Sequence, residues 1–257
     1  MNAVRIGRNH FTGPAGYHEL SPKQFRQAMN WRIRLESHPA GRFGLLHTWY
    51  GIRYRHLRLL SDEQRVDLLS LLDFLQTRPE RWMLPRLPVG FRYYVGPGDG
   101  LELLSFGEFM RAEAARGRYL DGAGREDLAA LAAALYRPRA LPFQTYTEGR
   151  RQPFDDRHYQ AQCKRFERLP DAVLHGVLLN YQGCLDAFPA QFTHLFGGKG
   201  EGDSDNTWLD VGLSLARQTP ALGTFTQLEG QNLFIVLTTL DALMREAAEL
   251  KANTPPS

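Results

Sequence analysis

Three times along this 257-residue chain a serine stands three residues ahead of a Gln or Glu and directly before an apolar stripe. The segments are Ser21-Pro22-Lys23-Gln24, Ser61-Asp62-Glu63-Gln64 and Ser105-Phe106-Gly107-Glu108. In such a capping box the serine hydroxyl and the Gln or Glu side chain each accept a backbone N–H that the first helical turn leaves unsatisfied. Pro22, at a first helical position, fixes the backbone there as well. Behind the first two boxes the apolar residues fall at spacings of three and four. Phe25, Met29 and Ile33 follow the first, and Val66, Leu68, Leu69, Leu72 and Leu75 the second. This repeated signal commits the chain to a mainly α fold.

The same spacing predicts the other helices. One covers 43–59 through Leu45, Leu46, Trp49, Ile52, His56 and Leu59, with Arg53, Arg55 and Arg58 near its end. Others cover 105–120, 125–136, 155–168, Pro170 to about Phe188, 208–217 and 226–251. The stretch Val173–Tyr181 is the most apolar and reads as central core. Residues 1–20 read as irregular, with Gly13, Pro14 and Gly16 as breakers. Val89–Val95, dense in aromatic and β-branched residues, reads as one short strand or hairpin, and Gly96–Gly100 as a turn. The expectation is one irregular helical domain of about eight or nine helices. A seam, if the chain has one, falls at 137–154. Residues 197–206 read as a flexible loop and 252–257 as a frayed tail.

Composition excludes several classes. The chain is 43% hydrophobic and 23% charged, which rules out wholesale disorder. Its 24 Gly and 15 Pro rule out a coiled-coil rod. No apolar run has the length of a membrane span, and the start carries no secretory apolar stretch. Cys163 and Cys184 are too few for a disulfide framework and lack zinc spacing, so they read as reduced thiols of a cytoplasmic protein. Charge is unevenly spread. Residues 1–100 hold 15 Lys+Arg against 8 Asp+Glu, and residues 171–257 hold 4 against 10. Opposite ends of this kind attract within one fold or pair between copies.

No motif supplies chemistry. Gly96-Pro97-Gly98-Asp99-Gly100 lacks the Lys-Ser/Thr of a phosphate loop and the βαβ frame of a dinucleotide site. Asp203 and Asp205 open a calcium-loop pattern, but Trp208 stands where it requires Gly. The eight histidines form no metal pair, and His175 reads as a core residue. No serine elbow occurs. The expectation is therefore a non-enzymatic protein without cofactor or metal. Its candidate contact residues are Trp49, Arg53, Arg55, Arg58, Arg150 and Arg151. Arginines beside aromatic rings suit phosphates and stacked bases, but equally a protein interface. The acidic C-terminal third argues against nucleic acid.

Several segments occur in an order that resembles a known group. They are Arg92-Tyr-Tyr-Val-Gly-Pro-Gly-Asp-Gly-Leu101, Leu104-Ser-Phe-Gly-Glu-Phe109, Ala133-Ala-Leu-Tyr-Arg-Pro138, Arg151-Gln-Pro-Phe-Asp155, Phe166-Glu-Arg-Leu-Pro170 and Gly176-Val-Leu-Leu-Asn-Tyr-Gln-Gly-Cys-Leu185. The order is similar to that of uncharacterised helical proteins from phage and prophage tail regions of Bacteroidetes-type bacteria. The resemblance covers roughly residues 90–190. It implies a tail assembly factor, chaperone-like, or a minor structural virion protein, with phage tail or other virion proteins as partners. It supplies no catalytic residue.

Overall fold

The computed structural model describes residues 1–35, 41–122, 124–140, 151–196, 207–219 and 223–253. The expected loop at 197–206, Arg150 and residues 254–257 lie outside them, while residues 252 and 253 are helical. The described residues are mainly α, with two small antiparallel sheets. Nine of their helices have eight residues or more. The chain divides into two compact units, one of residues 1–84 with 170–183, the other of 85–169 with 184–257. The described parts of the 137–154 connector fall inside the second unit.

The first unit opens with a hairpin where an irregular segment was expected. Strands β1 (Asn2–Ile6) and β2 (Asn9–Gly13) pair with Ile6 opposite Asn9, so Gly7-Arg8 forms a two-residue turn. Such turns need a positive φ, and Gly7 supplies +60°. Helix α1 (Pro22–Leu35) buries Phe25, Ala28 and Met29, one face of its 3.6-residue period. The helix expected over 43–59 is two helices, α2 (Gly41–Tyr50) and α3 (Tyr54–Leu57). Gly51 at φ +73° turns the chain between them. Helix α4 (Asp62–Leu69) follows its Ser61 box and tightens into a 3₁₀ turn over Ser70–Gln76.

Residues 171–183 of helix α8 (Asp171–Leu185) complete this core. Gly176 lies against Phe25, Met29 and Leu84, where a Cβ would come within 3.0 Å of the Phe25 ring. Asn180 is fully buried but satisfied. Its Oδ1 accepts from Met83 N (3.0 Å) and its Nδ2 donates to Arg81 O (2.9 Å).

In the second unit strands β3 (Arg86–Val89) and β4 (Arg92–Val95) form the hairpin expected near 89–95, turning at Gly90-Phe91. A short strand β5 (Arg137–Pro138) pairs with β4, setting Arg137 opposite Val95. Helices α5 (Phe106–Leu120) and α6 (Arg125–Leu135) are joined through Gly122, at φ +96°. Helix α6 packs closely because Ala129, Ala130, Ala132, Ala133 and Ala134 are all buried small residues. Helix α7 (Asp156–Phe166) starts at Asp155, which accepts from Arg157 N. It carries Phe166 against Tyr94, ring centroids 5.1 Å apart.

Helices α9 (Phe188–Gln191), α10 (Thr193–Phe196) and α11 (Trp208–Gln218) follow. The single helix expected over 226–251 is instead α12 (Phe225–Gly230) and α13 (Leu233–Asn253). The break has a partner. Phe106 N donates to Gln231 O, Leu233 N donates to Leu104 O, and Ser105 bridges to Asn232. Pairing with 104–106 replaces one turn of helix, and Asn232 Oδ1 accepts Phe234 N at the start of α13. None of the described helices is long and apolar enough to cross a membrane.

Candidate functional site

Two places gather the residues that the sequence marked, one in each unit. The first is built on the start of α5. The Ser105 box closes as expected: Ser105 Oγ accepts Glu108 N, and Glu108 Oε2 accepts Ser105 N (2.8 Å). That geometry fixes the Glu108 side chain and leaves Oε1 facing inward. Arg137 Nε (2.8 Å), Arg137 Nη2 (2.6 Å) and Arg151 Nη2 (2.6 Å) all reach this one oxygen. The three side chains are only 4–5% exposed. Arg151 also donates to Leu135 O (2.9 Å), where α6 ends, and to Leu103 O. A cation there satisfies carbonyls that the helix end leaves open. Among the described residues, no group accepts from the buried Arg151 Nε–H.

One turn further along α5, Arg111 lies outward of this triad. It donates to Gly107 O, to Asp156 (2.9 Å) and to Glu229 (3.2 Å). The Phe154 ring sits between the two arginine layers, 4.2 Å from the Arg137 guanidinium carbon and 4.7 Å from that of Arg111. Such contacts are electrostatically favourable. Burial draws the Arg137 pKa down to about 10, against the pull of Glu108 and helped by Arg151, so Arg137 stays a cation at neutral pH. Burial also opposes the charge of Arg111, but Asp156 and Glu229 outweigh it and hold that pKa above the usual arginine value. These residues line a cavity of about 620 Å³ with Gln152, Gln231 and Thr226. That volume suits a small ligand.

The second place is the Arg-rich end of α3 in the first unit. Arg53, Arg55 and Arg58 are exposed and, among the described residues, form no ion pair with a carboxylate. Arg58 stacks on Tyr54 at 4.9 Å. Tyr54, Leu59 and Val66, all within thirteen residues, are each about 70% exposed. His56 turns inward with Leu57, its ring 4.9 Å from Phe11, its Nδ1 accepting Arg53 N and its Nε2 within hydrogen-bond reach of Arg55 Nε. Burial, then the neighbouring Arg55 and Arg53, hold its pKa below the usual 6.5.

Of the six residues proposed from sequence, three therefore stand together on a surface: Arg53, Arg55 and Arg58. Trp49 does not. It is 7% exposed, donates to Gln27 Oε1 (3.1 Å) and stacks near Phe74. Its three-and-four spacing with Leu45 and Leu46 is a core signal. Arg151 is in the buried triad, and Arg150 lies outside the described residues. The sequence reading missed Arg111, Arg137, Phe154, Asp156 and Glu229 as site residues, and took Glu108 for a cap alone. No local signal could have joined them, because Arg137 and Arg151 stand 29 and 43 residues from Glu108. Among the described residues, no His, Cys, Asp and Glu converge as a metal site. No family model, curated protein or solved structure matches the chain.

Proposed function

We propose that this protein is a non-enzymatic assembly factor of the phage or prophage tail kind, acting by protein–protein contact in the bacterial cytoplasm. The observation that carries the reading is the α3 surface. Three exposed arginines without a carboxylate partner among the described residues, one stacked on an exposed tyrosine, stand beside two exposed aliphatic side chains. Tyr and Arg dominate the energetic centres of protein interfaces, and a surface of this make-up fits an acidic partner with an apolar recess. The order of segments over residues 90–190, which resembles that of tail-region proteins, supports the reading and implies virion components as the clients. A minor structural virion protein would use the same surface but would remain in the finished particle.

The test is affinity capture of the tagged protein from prophage-induced cells of a Bacteroidetes-type host, with mass spectrometry of what is bound. Tape measure, tube or baseplate proteins should be recovered by the wild type and lost by the Arg53→Ala, Arg55→Ala, Arg58→Ala triple variant. Recovery of nucleic acid in their place, released by salt, would assign the surface to phosphate contacts and overturn the reading.

A further inference from the structure

The charges around the α5 pocket are ordered by depth, and this order points to a ligand. The inner layer, Glu108 with Arg137 and Arg151, sets two cations against one anion. Both Glu108 oxygens are already turned onto donors, so the remaining charge of this layer is positive. The buried Nε–H of Arg151 finds no acceptor among the described residues. The outer layer, Arg111 with Asp156 and Glu229, sets two anions against one cation. Arg111 takes Oδ1 of Asp156 and Oε1 of Glu229, and among the described residues no donor reaches the other oxygen of either carboxylate. Phe154 separates the layers as an apolar step. The cavity of about 620 Å³ spans both.

A plain anion would be repelled at the mouth and a plain cation at the floor. A molecule with a carboxylate at one end and an ammonium at the other matches both layers at once. We infer that this pocket binds a small zwitterion, an α-amino acid or a short unblocked peptide. The carboxylate is directed to Arg137 and Arg151, and the ammonium to Asp156 and Glu229. The amino acid and the peptide share this chemistry and differ in the separation of their charged ends. The inference does not rest on the assembly role.

The test is calorimetric titration of the full chain with the common amino acids and with the dipeptides Gly-Gly and Gly-Leu. Acetate and ethylamine serve as the two separated halves. The inference expects saturable binding of at least one zwitterion and at least tenfold weaker binding of both halves. Which set binds identifies the source. Substitutions in the triad threaten folding, so the variants belong at the rim. Glu229→Gln and Asp156→Asn should each weaken the zwitterion roughly tenfold while the far-ultraviolet spectrum and melting temperature stay near wild type. Acetate binding as tightly as the zwitterion, indifference to both rim substitutions, or no binding by any compound would each overturn it.

Discussion

At the scale of single residues the molecule depends most on Glu108. Among the described residues it is the one carboxylate shared by two buried guanidinium groups, which neutralise its charge. Glu108→Gln keeps the size and the acceptor for Ser105 N but removes the charge, leaving two almost fully buried cations facing each other at the floor of the pocket. Breaking a buried pair in this way costs about 3–5 kcal/mol. Equilibrium denaturation of the variant should show a loss of that size, and a change under 1 kcal/mol would mean that solvent in the pocket screens the two cations. His56 behaves differently, because its cost depends on pH. Its folded pKa lies below the unfolded value of 6.5, so the imidazole is neutral in both states at higher pH and contributes nothing there. As pH falls through 6.5 the unfolded chain takes up the proton first, and stability declines until the folded pKa is passed. A melting-temperature series from pH 8 to pH 5 should therefore slope downward on the acid side. The His56→Gln variant should show a shallower slope over the same range.

At the scale of elements the boundaries are set by a few polar side chains. Ser61 Oγ accepts Gln64 N at the start of α4, and Gln64 returns the bond to Ser61 N. Ser61→Ala should cost about 1 kcal/mol, read as a shift in denaturation midpoint at unchanged slope. Gln64→Ala should remove the reciprocal bond with a smaller effect. These caps were legible in sequence because they are local: the donor and acceptor lie three residues apart. Two more boxes, Thr207 with Asp210 and Thr224 with Gln227, follow the same local rule with threonine in place of serine. What was not legible depended on distant chain. Gly51 splits α2 from α3 without any break in the apolar spacing across it. Gln231–Leu233 leaves the helix because residues 104–106, far away in sequence, offer it backbone partners. The candidate sites divide in the same way. Arg53, Arg55 and Arg58 could be read as a cluster from their spacing, whereas the pocket exists only where four separate segments meet.

At the scale of the whole molecule the question is what the uneven charge does. Residues 1–100 carry an excess of seven positive charges and residues 171–257 an excess of six negative ones. Part of the positive excess is taken up by ion pairs within the chain, such as the exposed pair of Arg65 with Asp62. Arg53, Arg55 and Arg58 are not taken up in this way, and removing them should leave the fold almost unchanged. Exposed charges without a carboxylate partner contribute within about 0.5 kcal/mol to stability. Their field acts outward instead, and salt limits its reach. The screening length is about 10 Å at 0.1 M and about 3 Å at 1 M. Association with a protein partner through this surface should therefore slow as salt rises, with the dissociation rate, set by Tyr54 and Leu59 contacts, changing much less. Surface-plasmon kinetics against the captured client separates the two. The triple alanine variant should reproduce the high-salt association rate at low salt, and Tyr54→Ala should instead raise the dissociation rate. If both variants changed only the melting temperature, the α3 surface would be structural, and the contact would have to be sought on the second unit.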